Sequence, residues 1–477
     1  MRKAYRRDDR WQCAIIGRQG HGQIFKQLPL RPDNSDSSRM TTLALNPQAS
    51  TASKPLSNGR LLRWIIAAAM LSGLCYLLTP AHQFEDGFSE EDHIARHLAR
   101  GDGFLSPFDD RPQAPPTSWC PPVYPFVMSL AYRLFDQRTQ AVLSAIVLFN
   151  IFCRTACAAA LFALGTQFSN HNVGLLAAGL FLVHPMFLHV VDSLWDNYLA
   201  LAMFLWLLWW TVQLSRADRV RKSQMAAMGA ALGLLLLTNT SYALACPAMV
   251  LLALAKQNWR RRALLMTVAT VAAVIVLLPW TLRNYRTFDR LFLVRGNANV
   301  ELWLANQPCS YGWMSLAVLD SHPSRNAAEH RLVLEEGETK YFALCGKRFA
   351  YEYRSAPGHF WFVCGERFVH AFIFDTGRTG AYLWRDIDID RYLINAFVVI
   401  FGLAGAWTAW RLKHKGVALL GIALLAIVPY LVTQVYNRYA MPLRAILLVF
   451  AAYLIVTMAP KRKSNCCYLP PGGDCCG

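Results

Sequence analysis

Residues 123–135, VYPFVMSLAYRLF, are an apolar piece of ambiguous length, and whether they cross a membrane decides which side every later segment lies on. The rest of the chain is organised by apolar runs of roughly 17 to 25 residues, the length that crosses a hydrocarbon core. They lie at 61–80, 139–163, 172–190, 196–214, 224–238, 241–256, 263–279, 392–410, 416–434 and 439–458. MRKAYRR and then Arg60 and Arg63 precede the first run, so the positive-inside rule puts the N-terminus in the cytoplasm. If 123–135 does not cross, alternation also places RADRVRK (216–222), KQNWRRR (256–262), RLKHK (411–415) and KRK (461–463) inside. If it crosses, all of these clusters are sent outside. It is therefore read as an interfacial helix lying on the membrane, opened by Pro121 and Pro122.

The fold class that follows is an all-α polytopic membrane protein of about ten transmembrane helices, with interfacial helices in the first external loop and a second, long external loop. The composition agrees, with 55% hydrophobic and 16% charged residues. A formal charge of +18 would suggest a nucleic-acid partner in a soluble chain, but here Lys and Arg gather at the N-terminus and between apolar runs, where they report topology. No nucleic-acid partner is expected. The divisions are a disordered basic cytoplasmic segment (1–60), a transmembrane module (61–280) containing the first external loop (81–138), an external region (281–391), C-terminal helices (392–459) and a cytoplasmic Cys-rich tail (460–477). Nothing before Met40 reads as structural, which makes it an alternative start. Of 13 cysteines, Cys120, Cys309, Cys345 and Cys364 fall in external segments and could pair in an oxidising compartment, with no connectivity deducible.

The first external loop holds EDGFSEED, with Asp86, Glu90, Glu91 and Asp92 between two long apolar runs. Carboxylates beside a bilayer are costly, which makes them candidates for chemistry. The plainer alternative is local: Ser89-Glu90-Glu91-Asp92 is a capping box, and acids in a first helical turn suit the macrodipole. The region from Pro279 to about residue 391 is too long for an idle connection, and it could cover the acidic loop as the other wall of a cleft.

Several pieces, in order and at external span ends, resemble the polyprenyl-phosphate-sugar glycosyltransferases of the protein O-mannosyltransferase and aminoarabinose-transferase kind, which share the GT-C fold. They are EEDHIARHLARGDGFLSPF with PTSWCPPVYP, then LWDNYLAL (194–201), LPWTLRNYRTFDRLFLVRGNANVELWLANQP (278–308), HPSRNAAEH with GETKYF (322–342), and NRYAMP (437–442). The mannosyltransferase branch commonly carries an adjacent Asp-Glu pair in the first loop, whereas here the acids are split between Glu85-Asp86 and Glu90-Glu91-Asp92. The resemblance puts Glu90 first as catalytic residue, followed by Asp86, with Asp196 at a second acidic position.

The implied function is transfer of a sugar from a polyprenyl-phosphate donor to a hydroxyl of a lipid, glycan or protein acceptor. The enzyme would sit among membrane lipids of a bacterial inner membrane with its site facing the periplasm. Such a reaction needs one carboxylate base and a cation for the phosphate. Arg283 and Arg438, at external span ends, are the expected phosphate ligands; the alternative is interfacial anchoring. Asn284 and Tyr439 beside them, with Glu91, Asp92 and Glu338, complete the expected cleft. Trp119, Tyr124, Trp280, Tyr285 and Trp303 read as an aromatic belt, and His184 and His189 as satisfied interfacial histidines. No metal-binding constellation or cofactor motif stands out; a divalent ion between Glu90 and Asp196, used by some GT-C enzymes, is not favoured. A lipid or small-molecule transporter without chemistry is the competing class.

Overall fold

A computed structural model describes residues 56–78, 88–135, 139–310, 312, 316–373, 389–434 and 436–459. Asp86, most of the N-terminal segment and the Cys-rich tail lie outside the described residues. The first half runs α1 (Leu56–Leu77), α2 (Glu90–Arg100), α3 (Val123–Phe135), α4 (Gln140–Phe168), α5 (His171–Val183), α6 (Pro185–His189), α7 (Asn197–Arg216), α8 (Lys222–Thr238), α9 (Ala245–Ala253) and α10 (Trp259–Phe288). The second runs α11 (Ala298–Ala305), α12 (Leu316–Leu319), α13 (Ala327–Glu336), α14 (Glu338–Ser355), α15 (Pro357–Ile373), α16 (Ile389–Arg411), α17 (Ala418–Val432) and α18 (Met441–Met458).

All ten apolar runs are helical, but they are not equally long. Among the described residues six helices are long and apolar enough to span: those in α1, α4, α7, α10, α16 and α18. α5 and the segment Pro185–Asp192 make a seventh only as a pair bent by 62°. The bend has a local cause, since His184 precedes Pro185 and is held extended at φ −72, ψ 121, out of the helical region. Its consequence is to carry the chain back through Ser193 to Asp196, at the head of α7. α8 (17 residues) and α17 (15 residues) fall short, because at roughly 1.5 Å per residue they reach about 22–26 Å of a core about 30 Å thick. Close packing compensates: Gly229 and Gly233 of α8 lie against the backbone at Ala269 and Ala273 of α10, where a Cβ would collide.

α3 is two-faced in the way an interfacial helix requires. Tyr124, Met128 and Tyr132 are buried against α2 and α4, whereas Phe126, Leu130 and Leu134, at the same four-residue spacing, are exposed. Outside the main apolar core, a second core joins the two loops. Ile94, Leu98, Phe104, Phe108, Trp119 and Cys120 of the first loop pack with Val300, Trp303, Val333, Tyr341, Phe342 and Cys345 of α11, α13 and α14. The long region does cover the acidic loop. Trp119, Tyr124 and Trp303 are therefore core residues rather than an aromatic belt, being 2%, 0% and 7% exposed. Trp280 donates its indole N–H to the Val294 carbonyl at 2.8 Å, and Tyr285 is exposed. Cys120, Cys309, Cys345 and Cys364 are all free thiols.

Candidate active site

Ser89 caps α2 by accepting the Asp92 N–H at 3.4 Å, and its hydroxyl donates to the Leu194 carbonyl at 3.1 Å. The cap is real, and it docks the helix start onto the approach to α7. The three following acids have separate fates, all of them buried. Asp92 is structural: it accepts from the Tyr132 hydroxyl and faces Arg96 at 3.6 Å. Glu91 accepts the Asp196 backbone N–H at 3.1 Å, joining α2 to α7. Glu90 faces His322 of the long region, Oε1 to Nε2 at 3.3 Å.

Glu90, Glu91 and Asp196 thus form one buried acidic group drawn from two elements. Burial pushes Glu90 up to about 7, opposed by its own backbone amide, with Glu301 raising it further and Arg438 and Arg295 lowering it. Burial also holds Glu91 well above the usual carboxylate range, and the charges of Asp196 and Glu90 push it the same way. Asp196 is raised to about 6 by burial, against a hydrogen bond from Asn239 and the charges of Arg295 and Arg438. Carboxylates this close do not all ionise near neutrality. Asp196 stands at the N-cap of α7 without a side-chain cap bond.

Arg438 stacks over Trp195 at 4.4 Å, Tyr436 at 4.8 Å and Tyr439 at 5.3 Å, so its guanidinium stands beside the residue that precedes Asp196. Tyr439 in turn lies flat on Tyr430 with ring centroids 4.0 Å apart. Asn197, Asn239, Ser241, Tyr430, Arg438 and Tyr439 line a small polar cavity here. The second cation, Arg295, did not stand out in the sequence. Its position is set by its neighbour: Gly296 donates its N–H to the Ser118 carbonyl at 2.9 Å, and a Cβ there would lie 2.7 Å from Phe342 and 2.8 Å from the Ser118 hydroxyl.

Arg283 is not brought to the carboxylates. It donates to the Thr117 carbonyl at 2.6 Å, the Phe104 carbonyl at 3.0 Å and the Asn284 amide oxygen at 3.0 Å, and it packs on Trp280 and Phe104. Two of these bonds tie it to loop backbone. Asn284 is likewise structural, donating to the Phe292 and Val294 carbonyls at 3.2 and 3.0 Å. Glu338, expected in the cleft, belongs instead to the same brace: it accepts from the Thr117 hydroxyl, the Ser118 N–H at 2.8 Å and the Ser118 hydroxyl at 3.2 Å. Burial nonetheless raises it to about 7, because those bonds and Arg283 only partly offset the loss of water. His189 pairs with the Tyr76 hydroxyl at 3.3 Å, and His184 accepts the Met186 N–H at 3.3 Å. Among the described residues no three His, Cys, Asp or Glu side chains converge to hold a metal ion.

Residues 120–281, about a third of the chain, match the family model described as dolichyl-phosphate-mannose-protein mannosyltransferase. No curated protein sequence matches. Among solved structures, similarity is found to the oligosaccharyltransferase AglB from Archaeoglobus fulgidus in complex with an inhibitory peptide and a dolichol-phosphate, at TM-score 0.48 and 15% identity over 83% of this chain and 50% of that one. Similarity is also found to ArnT from Cupriavidus metallidurans bound to undecaprenyl phosphate, at TM-score 0.40 and 13% identity over 84% of this chain and 78% of that one. The chain therefore spans about half the length of the oligosaccharyltransferase. The match to the mannosyltransferase family model takes in Asp196 and ends just before Arg283.

Proposed function

We propose that the protein moves a sugar from a polyprenyl-phosphate donor to an acceptor hydroxyl by a single inverting displacement, with Glu90 as the base. The observation that carries this reading is the buried acidic group of Glu90, Glu91 and Asp196 facing Arg438 and Arg295. In the reaction, the acceptor oxygen attacks the anomeric carbon while its proton passes to the Glu90 carboxylate. The bond from that carbon to the phosphate oxygen breaks, and polyprenyl phosphate leaves with an added negative charge. Arg438 and Arg295 meet that charge, and no acid is needed to protonate the leaving group. Asp196 orients the acceptor or the base from the head of α7.

The test is transfer by the purified, detergent-solubilised protein: a radiolabelled sugar on a polyprenyl phosphate should appear in an acceptor-linked product. Movement of donor lipid across proteoliposomes with the sugar still attached would replace this reading with a transporter. Against that alternative, the acids sit in a loop and at a helix head rather than at mid-span positions on related halves.

The basic clusters at 216–222, 256–262 and 411–415, which belong inside, support a site on the outer face, and the resemblance supports a bacterial inner membrane. In a background without native cysteines, Lys340→Cys should react with an impermeant thiol reagent on intact cells and Asp218→Cys should not; the reverse labelling would invert the topology.

A further inference from the structure

The motif HPSRNAAEH (322–330) lies outside the helices that bear the acids, yet its first residue touches one of them. The fold of the motif explains how. Arg325 and Asn326 donate their backbone N–H groups to the His322 carbonyl, each at 2.9 Å, closing a turn. Asn326 then caps α13, accepting from Ala328 and Glu329 at 3.0 and 3.1 Å. Glu329 pairs with Arg348 of α14 at 2.9 Å, and Arg348 lies 4.6 Å over Trp303 of α11. The His322 ring is walled by Phe108 and Trp119 of the first loop, with centroids 6.0 and 6.1 Å away. The imidazole is held from both loops.

Its proton can be placed by elimination. Nδ1 receives the Ser324 backbone N–H at 3.2 Å, and a backbone N–H can only donate, so Nδ1 is an acceptor; the Ser324 hydroxyl stands at 2.7 Å from the same atom. Burial, and then the charge of Arg325, hold the ring down to about 4, so it is neutral near pH 7 and carries its single proton on Nε2. Nε2 stands 3.3 Å from Glu90 Oε1.

Building on the reading of Glu90 as the base, we infer that His322 is its positioning residue: the long external region supplies a fixed Nε2–H donor that holds one Glu90 oxygen and leaves the other for the acceptor hydroxyl. His322 exchanges no proton itself. A donor bonded to the ionised carboxylate favours that form, so His322 keeps the base lower than its burial alone would set it. Other groups face Glu90 too. Glu91 on its own helix, Asp196 at the head of α7 and Glu301 of α11 oppose its ionisation, whereas Arg295 and Arg438 favour it. The Cys120 thiol and the Tyr436 hydroxyl also sense its charge, and both are pushed upward, chiefly by burial. His322 stands within ion-pair distance of a Glu90 oxygen.

The experiment is the pH profile of sugar transfer from a polyprenyl-phosphate donor, measured on the full-length protein with His322→Ala, His322→Gln and Glu90→Gln. Loss of the donor in His322→Ala should move the acidic limb of kcat/KM up by about one pH unit and lower kcat at pH 7 roughly tenfold, with donor KM within about twofold. His322→Gln, whose amide can still donate, should recover most of both. An unmoved limb in His322→Ala, with a lowered melting temperature as its only effect, overturns the inference while leaving Glu90 as the base. Full turnover in Glu90→Gln overturns the reading on which it rests.

Discussion

Glu90→Gln should lower turnover by roughly 10²- to 10⁴-fold, the contribution usual for a positioned general base, while donor affinity and thermal stability stay close to those of the parent. The substitution keeps the shape of the side chain and leaves an amide oxygen to accept the His322 N–H, so packing alone cannot explain a loss of this size. The pH dependence follows in sign. Because burial raises Glu90 to about 7, the active carboxylate form is the minor one in acid, and kcat/KM should rise with pH and level off above roughly neutral pH. The limb belongs to the coupled acids Glu90, Glu91 and Asp196 and need not be assigned to one of them. The neighbouring acids give the contrast. Asp92→Asn should act mainly on stability, because Asp92 is held by Tyr132 and Arg96 within the helix packing. Ser89→Ala should cost about 1 kcal/mol through the lost cap. Turnover preserved in Glu90→Gln and lost in Asp86→Asn would move the base upstream, to a residue outside those described.

The spans were legible because they rest on composition. Apolar runs and basic clusters follow from what a bilayer admits, and the one ambiguous piece, 123–135, is read from charge rather than from its own hydropathy. Their lengths were less legible, since a hydropathy window does not show that His184-Pro185 breaks a helix or that Gly229 and Gly233 let a short one pack deep. The acidic cluster was legible as a cluster and as a cap, and the cap is present in the structure. What the sequence could not divide was labour within it. Glu91 and Asp92 are neighbours in the chain, but one meets the head of α7 and the other meets Tyr132, a distinction that exists only once α2 is docked. The arginines teach the same lesson. Arg283 lies in the last turns of α10 and Arg295 in the connection that follows it, and nothing local says how the donors of either are used. The first is bound to the Thr117 and Phe104 carbonyls, contacts across more than a hundred residues that no short motif encodes. The one signal for Arg295 was the glycine after it. A glycine between two polar residues can mark a close backbone approach, and here it lets residues 295–297 lie against Ser118.

Arg438→Ala should raise donor KM by roughly tenfold to a hundredfold, the equivalent of a charge-assisted contact of about 1.5–3 kcal/mol, and lower kcat as well if the contact strengthens as the phosphate leaves. Arg438→Lys should recover only part of this, because an ammonium keeps the charge but not the planar face stacked on Trp195 and Tyr436. Arg295→Ala should shift the same parameter in the same direction. Removing either cation also takes away a charge that holds Glu90 and Asp196 down, so both variants should move the acidic limb of the pH profile upward. Arg283→Ala provides the control that separates binding from architecture. Its guanidinium ties α10 to the first loop, so the loss should appear as about 2 kcal/mol of stability, with donor KM in the folded fraction little changed. The opposite pattern, with donor affinity intact in Arg438→Ala and Arg295→Ala but lost in Arg283→Ala, would move the phosphate to the far side of the Thr117–Ser118 strip. The acidic group would then need a partner other than the leaving phosphate to explain why two arginines face it.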